Sequence, residues 1–202
     1  MKASPKKLLP LTVIGIAVTS LSFVRPAQAY TVTMKEVGSD VVSNGSGPIN
    51  LTGLTFKFLQ TTPPRDISPS LALITTGPTS PFLPADVYTG FSGPASFGSR
   101  GATSPNTGSG DLVGIYDFFG YLYVPHGYVS GHPLMDTMTF NNATFASLNV
   151  TPGTYTWTWG TGPNQKFTLQ IGPARVPDGG STVSLLGFAL LGLAALRRKL
   201  SC

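Results

Sequence analysis

From Thr154 to Trp159 threonine and aromatic residues alternate without a break, reading TYTWTW. Successive side chains on a strand point to opposite faces. Tyr155, Trp157 and Trp159 therefore share one face, and Thr154, Thr156 and Thr158 the other. No segment after residue 29 and before residue 181 keeps a helical period over three turns. Together these patterns predict an all-β body: a single, jelly-roll-like β-sandwich over residues 30–172.

Other strands are read from the same signals. Thr31–Val37 alternates in part. Ile49–Phe58 alternates more clearly, slipping by one at Gly53, which predicts a bulge there. Short apolar runs cover Ser70–Thr75 and Asp86–Phe91. Asp111–Val124 is the segment richest in strand formers, followed by Thr137–Phe140 and Ala143–Leu148. The clearest hairpin signal joins Phe145–Val150 to the aromatic strand through Pro152-Gly153, and the Gly160–Asn164 turn leads to a last strand, Lys166–Ile171. Pro63–Pro84, with six prolines, and the Gly/Ser/Pro-rich stretch Gly90–Gly110 read as irregular.

The ends differ in character from this body. Residues 1–29 read as a secretory signal peptide: Lys2, Lys6 and Lys7, a largely apolar stretch, then Ala27-Gln28-Ala29 as the cleavage site, leaving Tyr30 first. Residues 173–202 hold Val176-Pro177-Asp178-Gly179-Gly180, an apolar helix over about 181–197, and the cations Arg197, Arg198 and Lys199. Thr182–Leu196 as a helix reaches about 22 Å, short of the roughly 30 Å hydrocarbon core. Ser181 and the three snorkelling cations bring it closer to spanning. Cations after the helix place the C-terminus in the cytoplasm and the body outside.

The formal charge of +5 invites a nucleic-acid partner, but its distribution argues against one. Residues 30–175 hold six cations and seven acids, about −1, so the excess positive charge lies in the two end segments. Cys202 is the only cysteine, which excludes a disulfide within the chain and any cysteine-rich metal site.

Candidate chemistry in the body is sparse. His126 and His132 are the only histidines, in Pro125-His126-Gly127-Tyr128-Val129-Ser130-Gly131-His132-Pro133. A metal would need a third ligand, with Asp136 or Asp117 as candidates; the spacing matches no metal motif, and loop histidines making turn hydrogen bonds are the expectation. Ser130 lacks the G-x-S-x-G elbow of a nucleophile. Glu36 is the only glutamate, so paired carboxylates are scarce. The aromatic set Tyr116, Phe118, Phe119, Tyr121, Tyr123, Tyr155, Trp157 and Trp159 either fills the core or stacks on sugar rings, and for Tyr155 and Trp157 core filling is the expectation. Trp157 and Trp159 are the named stacking candidates, Trp159 being the less expected to be buried.

As a combined pattern, Val176, Pro177, Asp178 and Gly180, then Ser181-Thr182, the Leu/Gly/Ala run and Arg197-Arg198-Lys199 resemble the PEP-CTERM class of bacterial sorting tags. The resemblance is closest to the VPDSG variant, with Gly179 where the variant's name has serine. It implies export through the Sec translocon, leader removal by signal peptidase, and at least transient insertion in the membrane. An exosortase, an integral membrane cysteine enzyme, then cuts near the motif, and the protein reaches the cell surface, often where exopolysaccharide is made. Val176–Gly180 are in that case read by another enzyme. The expectation is a non-enzymatic, cofactor-free surface or matrix protein, structural or adhesive. The alternatives are a carbohydrate-binding module and a permanently membrane-anchored protein.

Overall fold

The structure, a computed structural model, describes residues 29–80 and 82–172. The segment read as a signal peptide up to Gln28, the sorting motif, the apolar tail and the basic cluster lie outside the described residues.

The described chain forms twelve strands. In order they are β1 (Thr31–Val37), β2 (Asp40–Pro48), β3 (Thr55–Gln60), β4 (Ile67–Ser68), β5 (Leu73–Thr76), β6 (Ala85–Thr89), β7 (Thr107–Gly110), β8 (Val113–Tyr116), β9 (Tyr121–Pro125), β10 (Pro133–Phe140), β11 (Gly153–Thr158) and β12 (Lys166–Ile171). Two 3-10 turns, Pro69–Leu71 and Asp117–Phe119, are the only helical elements described. The strands make two packed six-stranded sheets, β11-β12-β1-β2-β10-β7 and β3-β6-β9-β8-β5-β4. The expected two-sheet, all-β body is what the chain forms. All pairings are antiparallel except β1 with β12, which run parallel with Thr31 beside Thr168 and Met34 beside Ile171.

The core lies between the sheets. Val32, Met34, Val41, Met138, Phe140, Trp157, Phe167 and Leu169 come from the first sheet, and Ile74, Ile115, Leu122 and Val124 from the second. Alternation along β9 then sends Tyr121 and Tyr123 to the outer face of the second sheet, where Ala85, Val87, Leu112 and Tyr123 form a smaller cluster.

β4 and β7 fall in the stretches read as irregular, and the Asp117–Phe119 turn divides Asp111–Val124 into β8 and β9. Three further sequence expectations change. Ile49–Leu54 is not strand: Gly53 sits in a turn at φ +92°, and the bulge lies farther on, between Phe56 and Phe58 of β3. The predicted strand at 143–150 is a series of turns. There Thr144 and Ser147 capture each other's backbone, the Thr144 N–H donating to Ser147 Oγ at 2.8 Å and the Ser147 N–H to Thr144 Oγ1 at 3.1 Å. Such bonds compete with ladder pairing. The third change is β2, which the apolar pattern does not announce. It holds only two adjacent valines among Ser, Asn and Gly, yet it sits between β1 and β10 over most of their length.

Candidate functional site

The first residue expected after signal cleavage is part of the core. Tyr30 has no exposed surface, and Ala29 before it is only 4% exposed. The Tyr30 ring lies 5.2 Å from that of Phe167, and the Tyr30 carbonyl accepts the Thr168 N–H at 3.1 Å. Its hydroxyl meets Asp136 Oδ2 of β10 and stands 3.2 Å from Thr76 Oγ1 of β5, so one phenol bridges the two sheets. Thr76 Oγ1 in turn donates to the Val113 carbonyl at 3.1 Å. Burial holds Asp136 well above the ordinary carboxylate range, at about 6, and nearby Asp111 adds to the effect. Burial first, then the neighbouring Asp136, also raises the Tyr30 phenol. Ala27, the other small residue of the cleavage signal, lies outside the described residues.

At the far end of β12 the Gly172 N–H donates to the Met34 carbonyl at 2.9 Å. The segment carrying the sorting motif thus leaves from a strand held inside the first sheet, with β1 on one side and β11 on the other. Because β1 and β12 are parallel, Tyr30 and Gly172 lie toward opposite ends of these paired strands.

The structure buries both tryptophans, as expected for Trp157 and against the stacking alternative named for Trp157 and Trp159. Trp157 is fully buried and Trp159 is 3% exposed. Their indole N–H groups donate to the carbonyls of Pro94 at 3.1 Å and Asn50 at 2.7 Å, so neither offers a ring face to a ligand. The same-face reading of Tyr155, Trp157 and Trp159 is consistent with all three packing against the core. Exposed aromatics lie elsewhere, and two of them, Phe118 and Phe119, sit together in the Asp117–Phe119 turn. Phe118 is 66% and Phe119 53% exposed. Phe119 stacks on Tyr121 at 5.6 Å and meets Tyr116 edge-on at 4.9 Å, while Phe58 meets Tyr121 edge-on at 5.5 Å. The sequence offers these rings as part of a larger set, but the short turn that exposes them follows from Gly120 taking a left-handed conformation at φ +67°.

The two histidines serve different contacts. His126 Nδ1 is 2.8 Å from Asp86 Oδ1, and the Gly127 N–H donates to Asp86 Oδ2 at 2.9 Å. His126 and Asp111 line a cleft of about 380 Å³ with Leu83, Leu112 and Pro125. The His132 carbonyl accepts the Tyr128 hydroxyl at 2.6 Å. Ser130 Oγ accepts the Leu51 N–H at 2.9 Å. Asp136 is committed to Tyr30. Among the described residues no three His, Cys, Asp or Glu side chains converge to hold a metal.

No curated protein and no solved structure matches the chain. A family model does match, over residues 175–200, and it is the VPDSG-CTERM motif. The chain therefore carries a PEP-CTERM-like C-terminal sorting tag.

Proposed function

We propose that this is an exported protein whose tag is processed by an exosortase, leaving the β-sandwich at the cell surface or in the extracellular matrix as a structural or adhesive component without catalytic activity. The observation that carries this reading is the VPDSG-CTERM match at residues 175–200, at the end of a chain whose described body is a two-sheet, all-β domain. Sec-dependent export, cleavage after Ala29 and a membrane-inserted precursor belong to the same reading. Intact-mass measurement of the protein from its native host tests it. The expected species begins at Tyr30 and ends between Arg175 and Gly180. A mass that retains Cys202 would instead identify a permanent single-span anchor.

A second reading is favoured by the exposed rings of Phe118 and Phe119 beside Tyr116 and Tyr121: a carbohydrate-binding face built there, not at the tryptophans. The C–H faces of pyranose rings stack on such rings, and each contact contributes on the order of 1 kcal/mol. The processed protein should be retarded on an affinity gel containing the host's own exopolysaccharide. Phe118→Ala with Phe119→Ala should weaken that retardation roughly tenfold. Unretarded migration of the unaltered protein would remove this reading.

A further inference from the structure

A sheet edge is an open row of backbone donors and acceptors, and proteins guard such edges. Two sheets give four edges here: β11, β7, β3 and β4. The β4 edge is bridged by Thr103, whose backbone exchanges bonds of 3.0 and 2.9 Å with Ile67. The β11 edge is bridged at its end by Ser92, bonded to Thr158 at 3.0 and 2.8 Å. The β7 edge is Thr-Gly-Ser-Gly, four residues without an apolar side chain. The remaining edge, β3, is six residues long, and no strand or bridge among the described residues lies on its free side. It also carries two exposed apolar side chains, Phe56 at 53% and Leu59 at 43%.

The usual guard of an edge is a charged side chain standing over it. The one charge on β3, Lys57, is drawn away from the edge. Its ammonium lies 4.6 Å from the centre of the Tyr121 ring and donates to the Tyr121 hydroxyl at 3.3 Å, on the outer face. The bulge between Phe56 and Phe58 places Lys57 and Phe58 on that same face. Phe56, against Tyr88, and Leu59, opposite Asp86, lie on the inner face. From Thr55 to Gln60 the faces therefore run outer, inner, outer, outer, inner, outer. That order reads the same in both directions.

We propose that β3 pairs antiparallel with β3 of a second copy of this chain, about a two-fold axis between Lys57 and Phe58. In this register Thr55 faces Gln60 of the partner, Phe56 faces Leu59, and Lys57 faces Phe58. Directly opposed residues in an antiparallel pair share a face. The palindromic order satisfies that for all six positions, and a slip of one residue would break it. The register buries both exposed apolar pairs against each other and sets each ammonium opposite a ring, not opposite its own copy. The contact is isologous, as a two-fold axis requires. Six residues a side falls well short of the roughly 20–30 residues a side of a stable complex, so the pairing is weak and depends on concentration. It rests on the sheet geometry and does not require that the tag be processed.

Two full-length chains, each with Cys202→Ser, test the register. One carries Phe56→Cys and the other Leu59→Cys. Opposed Cβ atoms are about 5 Å apart, close enough for a disulfide to form after a small adjustment. Under mild oxidation the mixture should give a covalent dimer containing one chain of each kind, while each variant alone stays monomeric. Leu59→Lys in the Cys202→Ser background should lower the association constant tenfold or more by sedimentation equilibrium. Near-UV circular dichroism confirms that each variant is folded. No covalent dimer in the mixture, or equal cross-linking in all three samples, would overturn the proposal.

Discussion

Gly45→Ala should destabilise the domain by at least about 3 kcal/mol in urea unfolding. Gly45 lies in the middle of β2, opposite Val32 on β1 and Asp136 on β10. A Cβ at this position would stand 2.7 Å from Asp136 Oδ2 and well inside contact distance of Asp136 Oδ1 and the Tyr30 hydroxyl. None of these neighbours has room to move. Tyr30 is fully buried against Phe167, and β2 is held by ladders on both sides. The cost therefore combines overpacking with disruption of the polar contact that joins the sheets. Tyr30→Phe alone leaves Asp136 and Thr76 without the phenol and should cost about 1–3 kcal/mol. In the Gly45→Ala background it should cost less, because it also removes one of the clashing atoms. A coupling of at least about 1 kcal/mol between the two changes is expected. If Gly45→Ala stays within about 0.5 kcal/mol of the unaltered protein, the packing around Tyr30 is looser than described.

Gly45 also explains why part of the fold was hard to read. The all-β class, β1, β11 and β12 follow from period-two alternation, because each buries one face and shows it in apolar residues. β2 buries Val41, Ser43 and Gly45, and at Gly45 the Tyr30 hydroxyl and the Asp136 carboxyl occupy the space a Cβ would need. A strand whose buried face is filled by its neighbours has no hydrophobic pattern of its own. The predicted 143–150 strand shows the reverse error: its apolar residues are real, with Leu148 and Val150 buried, but side-chain bonds of Thr144 and Ser147 fold the backbone into turns. Trp159 failed as a stacking site for a related reason. Its place at the end of a strand makes it the least expected of the set to be buried, while Asn50, distant in sequence, supplies the acceptor that lets its indole be buried. The sorting tag was legible because its information is linear: a short motif, an apolar run and a basic end. Tyr30 and Asp136 are 106 residues apart, and nothing local in either segment announces that they meet.

Asp136→Asn should abolish a fall in stability between about pH 4 and pH 6. Three oxygen–oxygen contacts run from Asp136 Oδ2 through Tyr30 and Thr76 to the Val113 carbonyl. The Tyr30 hydroxyl donates to Asp136 Oδ2 and Thr76 Oγ1 to the Val113 carbonyl. The hydroxyl contacts favour the ionised carboxylate, but burial is the larger effect and favours the neutral form. The charge of Asp111, whose Oδ2 accepts the Met135 N–H at 2.8 Å, acts in the same direction as burial. A carboxyl raised to about 6 in the folded chain, against about 3.9 unfolded, binds its proton more tightly when folded. Its contribution is thus fully present below about pH 4, declines as pH rises, and is lost above about pH 6, amounting to about 3 kcal/mol. That is a large share of the roughly 5–15 kcal/mol of a typical domain. In Asp136→Asn the amide keeps a neutral group facing Tyr30 at every pH. The variant should match or exceed the unaltered protein at pH 7.5, and the stability difference between them should shrink toward pH 4. Urea unfolding at half-unit steps from pH 4 to 7.5 measures this. If the two proteins keep the same pH slope, burial does not raise the Asp136 carboxyl and this account of it is wrong.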